Sequence, residues 1–276
     1  MPNRCANVSL MSKTQAVYVG NGHVLTRTAN GFKLFVDATD VSIAPHLILD
    51  GVWEEWTEAV LHRVVKPGMR ALEVGANVGY FTLLIARQVG AAGKVHAFEC
   101  DPDLAQIAED NVELNGFGER VVIDRRAVGE TPGPASFNRA KRHRGGGTLV
   151  HGLQQIPQLR ESEREAYSVT VTTIDELLKS GESPYDFVKI DAEGAETAIL
   201  NGGQALFARE MRPLALLIEF CPAFLRAAGQ DPAEELRRFA TWGFRFARLD
   251  ERKRRAIDCA ADALLARDYS ELLLTR

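Results

Sequence analysis

The pattern of apolar and polar positions divides the chain into two textures. From Ala16 to Ile43, the apolar runs Ala16-Val17-Tyr18-Val19 and Phe32-Lys33-Leu34-Phe35-Val36 are separated by Gly and Asn, which predicts short strands joined by tight turns. From Trp53 to Val65 the apolar positions Trp53, Trp56, Ala59, Val60 and Val64 fall at helical spacing, and Lys66-Pro67-Gly68 breaks the helix. After Gly68 strand-like and helical runs alternate. Arg70–Val74 predicts a buried strand, Tyr80–Val89 a helix and Lys94–Phe98 a second strand. Asp101-Pro102 supplies an N-cap and a first-turn proline, and Asn115-Gly116 a stop. Arg120–Asp124, Phe187–Ile190 and Leu214–Ile218 read as further strands, the last two each followed by helical pattern. Strands separated by helices need crossover connections, and these imply a parallel sheet. Phe244–Leu249 and Leu272–Thr275 are expected to close the chain as an antiparallel edge pair.

Between Thr131 and Ser168 the alternation lapses. The stretch holds Arg139, Lys141, Arg142, His143, Arg144 and the run Gly145-Gly146-Gly147, and it is too long for an ordinary connection, so a functional lid or a disordered excursion is expected. Residues 1–65 read as an N-terminal elaboration of short strands and a lead-in helix. Residues 66–276 read as one sheet domain carrying a lid-like insert at 131–168. The length of 276 residues lies between one and two domains at roughly 150 residues each.

Composition narrows the partners. With 46% hydrophobic and 25% charged residues, the chain has a globular profile. Its 33 Lys and Arg against 37 Asp and Glu give a net charge of -4, without the basic excess of a protein whose main partner is nucleic acid. The run Arg252-Lys253-Arg254-Arg255 is short and reads as a solvated hairpin loop. Cys5, Cys100, Cys221 and Cys259 form no CxxC pair, which argues against structural zinc or a disulfide framework and suits a reducing compartment. The first residues lack the apolar core of a signal peptide, and no segment approaches the ~20 apolar residues that cross a bilayer. A cytoplasmic chain with no membrane partner is expected.

The segment richest in chemistry is Glu73-Val74-Gly75-Ala76-Asn77-Val78-Gly79, between a strand and a helix. Its glycines let backbone approach a ligand, and the helix N-terminus offers free N–H donors. Such a turn alone serves packing as readily as binding. Glu99, 24 positions after Gly75, ends the next strand, where a carboxylate can accept both hydroxyls of a ribose. The two features together point to a nucleoside. A dinucleotide-binding turn would read G-x-G-x-x-G and would avoid a carboxylate beside the pyrophosphate. Glu73 repels phosphate and suits an ammonium or sulfonium group. S-adenosylmethionine (SAM) has a ribose, an adenine, no phosphate and two cationic centres, whereas NAD loses on this electrostatic point.

These residues resemble the N-terminal half of a SAM-dependent class I methyltransferase, and more narrowly the FkbM family of methyltransferases. The segments that carry the resemblance are Val52-Trp53-Glu54, Leu72 to Thr82, Ala97-Phe98-Glu99, Asn111 to Gly116, Thr173-Ile174-Asp175 and Tyr185 to Glu196. They cover about residues 50–220, and the run Lys189-Ile190-Asp191-Ala192-Glu193-Gly194-Ala195-Glu196 is the most specific. The family usually has Asp where this chain has Glu73, and Pro where it has Cys100. The resemblance implies an α/β, Rossmann-like, seven-stranded and mainly parallel sheet, with helices on both faces and the last strand antiparallel. It implies that Glu73, Gly75, Asn77 and Gly79 cradle the methionine part of SAM, that Glu99 holds the ribose, and that Asp124 to Ala127 flank the adenine. Ala76, Tyr80, Phe81, Thr82, Cys100 and Asp191 complete the expected cofactor site.

For chemistry, Asp191 and Glu219 end two strands on the rim that Glu73 and Glu99 also occupy. Asp191 is the first candidate for general base or acceptor orienter, with Glu193 beside it. Glu196 reads equally as an ordinary acid at a helix N-terminus. Lys189, inside an apolar strand, needs a carboxylate partner. If a divalent ion such as Mg²⁺ takes part, Asp191 and Glu219 are its expected oxygen ligands. His143 could act as a lid-borne base, with Arg142 and Arg144 meeting an anionic acceptor, although a solvated basic loop explains the same residues. His23, His46, His62, His96 and His151 form no ligand spacing. The expected activity is O-methylation of a hydroxyl on a small molecule, secondary metabolite or sugar. The rival readings are N- or carboxyl-methylation, a NAD-dependent oxidoreductase, and an inactive cofactor-binding module. The expected partner is a small-molecule or glycan acceptor, and a homodimer is left open.

Overall fold

In the computed structural model, which describes residues 16–150, 163–181, 183–209 and 212–276, the strands sort into three sheets. The chain begins with β1 (Val17–Gly20), β2 (His23–Arg27) and β3 (Lys33–Asp37), an antiparallel sheet in that order, followed by α1 (Ala44–Leu49) and α2 (Glu55–Val64). Then come β4 (Arg70–Val74), α3 (Tyr80–Val89), β5 (Lys94–Phe98), α4 (Pro102–Leu114) and β6 (Val121–Asp124). The short β7 (Ala127–Val128) leads to β8 (Gly133–Ala140) and β9 (Arg164–Thr172). The chain continues through α5 (Ile174–Lys179), β10 (Phe187–Ile190), α6 (Glu196–Asn201), β11 (Ala215–Phe220), α7 (Pro222–Ala227) and α8 (Pro232–Thr241). It finishes with β12 (Arg245–Asp250), β13 (Arg255–Asp258), α9 (Ala261–Leu265) and β14 (Ser270–Thr275).

The main sheet has the order β13-β12-β14-β11-β10-β4-β5-β6. Strands β4, β5, β6, β10 and β11 run parallel, joined by helical crossovers as the alternation predicts. The expected count of seven is corrected to eight, because β13 folds back on β12 as an extra antiparallel edge strand. The expected pairing of the last two runs is present, with Arg245 opposite Thr275, but it is not an edge pair. β14 inserts between β11 and β12, antiparallel to both, and this interior place buries Leu272, Leu273 and Leu274. The basic run occupies the β12–β13 turn, where Arg254 pairs with Glu55.

Side-chain alternation along the strands builds two cores. Leu72, Val74, Val188, Ile190, Leu216, Ile218, Leu272 and Leu274 pack on one face with Ile174, Ile199 and Phe239. On the other face Ala71, Val95, Ala97, Phe187, Leu217 and Leu273 pack with α2, α3 and α4. The N-terminal segment joins this second core through Leu34, Val36, Leu47, Val60 and Leu61. Its outer strand β3 is closed by side-chain amides instead of another strand. Asn111 of α4 accepts from the Phe35 N–H at 2.6 Å and donates to the Phe35 carbonyl at 2.9 Å. Asn115, one turn later, makes the same pair of bonds with Lys33 at 3.1 and 2.7 Å. Each such bond contributes about 1 kcal/mol and leaves no bare strand edge at this seam.

The insert also departs from expectation. Within the described part of 131–168, β8 and β9 form a long antiparallel hairpin, from Gly133 opposite Val171 to Ala140 opposite Arg164, with β7 parallel to β9, while residues 141–150 are irregular as expected apart from a short 3-10 turn at Arg144–Gly146. Residues 151–162, which include His151, and residues 1–15, which include Cys5, lie outside the described residues. The strands were hard to see because their two-residue alternation is carried by Ser, Thr and charged residues, with few large apolar side chains. Among the described residues no helix is long and apolar enough to cross a membrane.

One backbone contact fixes how α6 meets the loop after β7. A Cβ on Gly202 would lie 2.0 Å from the Gly129 carbonyl oxygen, which no L side chain tolerates without movement. Gly202→Ala is expected to cost about 2–3 kcal/mol in urea unfolding. Gly146→Ala, whose Cβ would meet nothing closer than 4.0 Å, is expected to change stability by less than about 0.5 kcal/mol.

Candidate functional site

A cavity of about 350 Å³ opens over the carboxyl ends of β4, β5, β10 and β11, where open parallel sheets present their loops. Its floor is the turn from Gly75 to Val78. Gly75 has φ +87°, and a Cβ there would stand 1.9 Å from the carbonyl oxygen of Asp191, so the ends of β4 and β10 meet backbone to backbone. Asn77 follows in the left-handed region and donates its N–H to Glu99 Oε2 at 2.8 Å. The other oxygen of Glu99 accepts from the Asp101 N–H at 2.8 Å. Burial pushes Glu99 up to about 7 against these two bonds. Asp101 then caps α4, as the sequence predicts, by accepting from the N–H groups of Asp103 and Leu104.

Beneath the floor lies a buried charge cluster. Glu73 on β4 and Lys189 on β10 are register partners, so both point to the same face of the sheet. Lys189 is 2% exposed, bonds Asp191 Oδ2 at 2.8 Å and stands 4.9 Å from the centre of the Phe81 ring. Burial opposes its charge, but Asp191, Glu73 and Glu54 outweigh that and hold the ammonium above its ordinary range. The expected carboxylate partner of Lys189 is thus Asp191. Glu73 itself is fully buried; one oxygen accepts from Thr82 Oγ1 at 2.6 Å and the other has no partner. Burial raises Glu73 to about 7, with Lys189 and Thr82 pulling the other way.

Toward β11 the wall turns acidic. Glu54, Asp191, Glu193 and Glu219 all line the cavity. Burial raises Glu193 to about 8 and holds Glu219 well above the ordinary carboxylate range. Glu196 is separate: its carboxylate accepts from the N–H groups of Ala192 and Gly194, tying down its own turn. Among the described residues, five non-glycine residues have positive φ, and three of them, Glu54, Asn77 and Glu193, line this cavity. Such strain persists only where surroundings enforce it, and it gathers at functional sites.

Two segments form the roof. Ser42, Ile43 and Trp53 come from the N-terminal elaboration, and His143 to Leu149 from the insert. They are bonded to each other: the Val41 N–H donates to the Arg142 carbonyl at 2.9 Å, and the Arg144 N–H to Asp40 Oδ1 at 3.1 Å. The insert is also anchored below. Arg139 pairs with Asp101 at 2.6 Å and Asp103 at 2.8 Å. Arg144 pairs with Asp101, Asp103 and Asp37 at 3.3 to 3.5 Å. Arg144 is therefore buried and committed, which corrects its expected role against an anionic acceptor, while Lys141, Arg142 and His143 beside it are exposed, as the solvated-loop reading expects.

The structure brings together Gly75, Ala76, Asn77, Tyr80, Phe81, Glu99, Cys100, Ala127, His143, Asp191, Glu193 and Glu219 on one cavity wall. Four expected cofactor residues stand outside it. Glu73 and Thr82 face each other below the floor, and Gly79 backs onto Ala108 of α4. Asp124 is held by Arg126 at 2.6 Å and His96 at 3.3 Å; these bonds overcome its burial and keep it below the usual carboxylate range. Arg126 lines the cavity in its place. Asp191 and Glu219 gain no third ligand: among the described residues no three His, Cys, Asp or Glu side chains group for a metal ion. Trp53, Phe137 and Tyr269 also line the cavity. Trp53 reads as helix core in sequence, and Phe137 and Tyr269 carry no local signal, because only the fold brings them there.

Comparison with known proteins gives the family. The sequence profile described as "Methyltransferase FkbM domain" matches residues 73–246. A protein-L-isoaspartate O-methyltransferase of Aeropyrum pernix is 42% identical over 78 residues, 28% of this chain and 30% of that protein. The corresponding protein of Hyperthermus butylicus is 33% identical over 87 residues, 29% of this chain and 33% of its own. The chain thus matches about a third of the length of these curated relatives. Among solved structures, methyltransferase FkbM from Methylobacillus flagellatus shares 14% identity at a TM-score of 0.46, covering 78% of this chain and 49% of that one.

The buried Glu73 gives a signed pH dependence. Its carboxyl ionises near 4.5 in the unfolded chain and near 7 in the folded one, so the stability it lends below 4.5 is lost as pH rises to 7. Glu73→Gln keeps an acceptor for Thr82 and removes the ionisation. In urea unfolding the variant is expected to match the parent near pH 4 and to exceed it by about 3 kcal/mol at pH 8.

Proposed function

The chain belongs to the FkbM methyltransferase family, and on that premise we propose that it is a SAM-dependent methyltransferase acting on a hydroxyl of a small molecule, secondary metabolite or sugar. The observation that carries the proposal is the joint placement of the Gly75–Asn77 turn and Glu99 on one cavity, with Glu73 and Asp191 beneath and beside the turn. That donor set fits a nucleoside with a cationic tail. Glu99 would hold the ribose, the backbone of Gly75 to Asn77 the methionine part, and Cys100, Arg126 and Ala127 the adenine side. The strand-end carboxylates disfavour a pyrophosphate there, and with it the NAD reading.

When bound, SAM supplies a methyl group already activated by its sulfonium. The protein's share is to align the hydroxyl, exclude water and take its proton. Asp191 is bonded to Lys189, which suits it to orienting the acceptor more than to accepting a proton. Glu193, with no such cation bonded to it and a pKa raised to about 8, is the stronger base when ionised. His143 reaches the same cavity from the roof and is the rival base. A divalent ion has no part in the proposal, since Asp191 is already paired and, among the described residues, no metal-ligand group forms around Glu219. The O-methyltransferase names of the curated relatives support transfer to oxygen. A methyl ether, stable to base, separates this reading from a carboxyl ester.

Calorimetry tests the cofactor. S-adenosylhomocysteine is expected to bind with micromolar affinity, and NAD not at all. Glu99→Ala, which removes a charged hydrogen-bond acceptor, is expected to weaken the former by 10- to 100-fold. Binding of NAD without S-adenosylhomocysteine would sink the proposal.

A further inference from the structure

The two halves of the cavity differ in charge. On the Glu99 side the cations are matched: Arg126 is paired with Asp124, and Arg144 with Asp37, Asp101 and Asp103. On the other side carboxylates outnumber them. Lys189 is bonded to Asp191, and Arg164 acts on Glu193. The charges acting most strongly on Glu219 are the carboxylates of Glu196, Glu193 and Asp191. Glu219 Oε2 is closed off from solvent and has no hydrogen-bond partner, although the side chain lines the cavity.

Strand register sharpens the conflict. Glu219 on β11 lies directly opposite Glu271 on β14, so two carboxylates share one face as cross-strand neighbours, an arrangement that repels. Glu271 spends its Oε2 on Trp56 Nε1 at 2.8 Å and Thr57 Oγ1 at 2.7 Å. The Thr57 hydroxyl is shared with Glu54 at 3.1 Å, which brings Glu54 to the same corner. Trp53 and Tyr269 also line the cavity, Trp53 next to Glu54 in the chain and Tyr269 within reach of the charges of Glu271, Glu219 and Glu54. Bound SAM would bring one net positive charge, and its fixed partners are the turn, Glu99 and Asp191. Glu219 keeps one enclosed oxygen without a partner, while Glu54 shares the Thr57 hydroxyl with Glu271 and the charge of Lys189 with Asp191 and Glu73, so this low-dielectric corner is short of positive charge.

We infer that the acceptor carries an ammonium group, received between Glu219 and Glu54 and flanked by Trp53 and Tyr269. This rests on the methyltransferase reading and adds the acceptor's charge class to it: a hydroxyl-bearing amine, such as an amino sugar or a phenolic amine, in place of a neutral polyol, a phosphate or a carboxylate. The aromatic flank adds cation–π attraction to the ion pairing.

The test uses two matched probe sets with the full chain, with and without saturating S-adenosylhomocysteine. One set is tyramine, tyrosol and 4-hydroxyphenylacetate; the other is glucosamine, glucose and glucuronate. Ligand-observed NMR titration reads binding without turnover. The ammonium form of at least one set is expected to bind tenfold or more tightly than its neutral analogue, with the anion weakest. Glu219→Gln and, separately, Glu54→Gln are expected to cut that preference to threefold or less. Equal binding of the three forms in both sets, or binding of none, overturns the inference, as does a preference that survives both substitutions. Titration of S-adenosylhomocysteine into the same samples reports on the cofactor reading separately. Its failure to bind while the ammonium preference persists would remove the methyltransferase and leave the amine site standing.

Discussion

The structure turns on one buried ammonium. Lys189 sits in the middle of the sheet at 2% exposure, and its bond to Asp191 holds a carboxylate at the rim of the cavity. Its register partner Glu73 lies on the neighbouring strand, and Glu54 reaches the same charge from the N-terminal elaboration. An isolated ammonium at this depth would be neutralised or expelled, so its carboxylates are a condition of the fold as well as of the site. The single cation cannot neutralise all of them. Burial raises Glu73 and Glu54 despite it.

The roof depends on a second set of charges. Arg139 and Arg144, both buried, converge on Asp101, which also caps α4 and donates its N–H to Glu99. One aspartate therefore couples the insert, the helix and the expected ribose acid. Asp40 does comparable work above: its oxygens accept from Ser42, Ile43 and Ala44 N–H groups and from the Arg144 N–H. The N-terminal elaboration and the insert bond to each other over the cavity through Val41 with Arg142 and Asp40 with Arg144. That coupling explains why residues far apart in sequence, Ile43 and Gly145, arrive over the same turn.

The features legible in the sequence are those whose cause is local. Tyr80–Val89 and Pro102–Leu114 form because caps, breakers and helical spacing lie within a few residues of each helix. The runs at Arg70, Lys94 and Phe187 are apolar enough to declare buried strands. Glu99 and Asp191 followed from strand ends alone. What escaped was decided at long range. Nothing near Arg255 marks β13, since an edge strand on a polar hairpin needs little apolar pattern. The β8–β9 hairpin hides behind Ser and Thr for the same reason. The fate of Arg144 could not be read from Arg142-His143-Arg144, because its partners Asp37, Asp101 and Asp103 lie about forty or more residues upstream. Tyr269 reaches the cavity only because β14 is threaded back between β11 and β12.

That threading also sets the chemistry of the far wall. An antiparallel β14 beside β11 brings Glu271 opposite Glu219, a pairing a parallel neighbour in sequence order would not have produced. Packing alone would favour apolar residues at both positions, as Leu217 and Leu273 show two residues away on the same face. The carboxylates are thus a local departure from the pattern that otherwise builds this core. Glu271 is answered within the chain by Trp56 and Thr57, whereas Glu219 Oε2 is not, and a departure without an internal partner is expected at a site completed by something outside the chain. The position of Glu219 matters as well: it lines the cavity from β11, on a different strand from the Gly75–Asn77 turn and Glu99, which is why it is assigned to the acceptor and not to the cofactor.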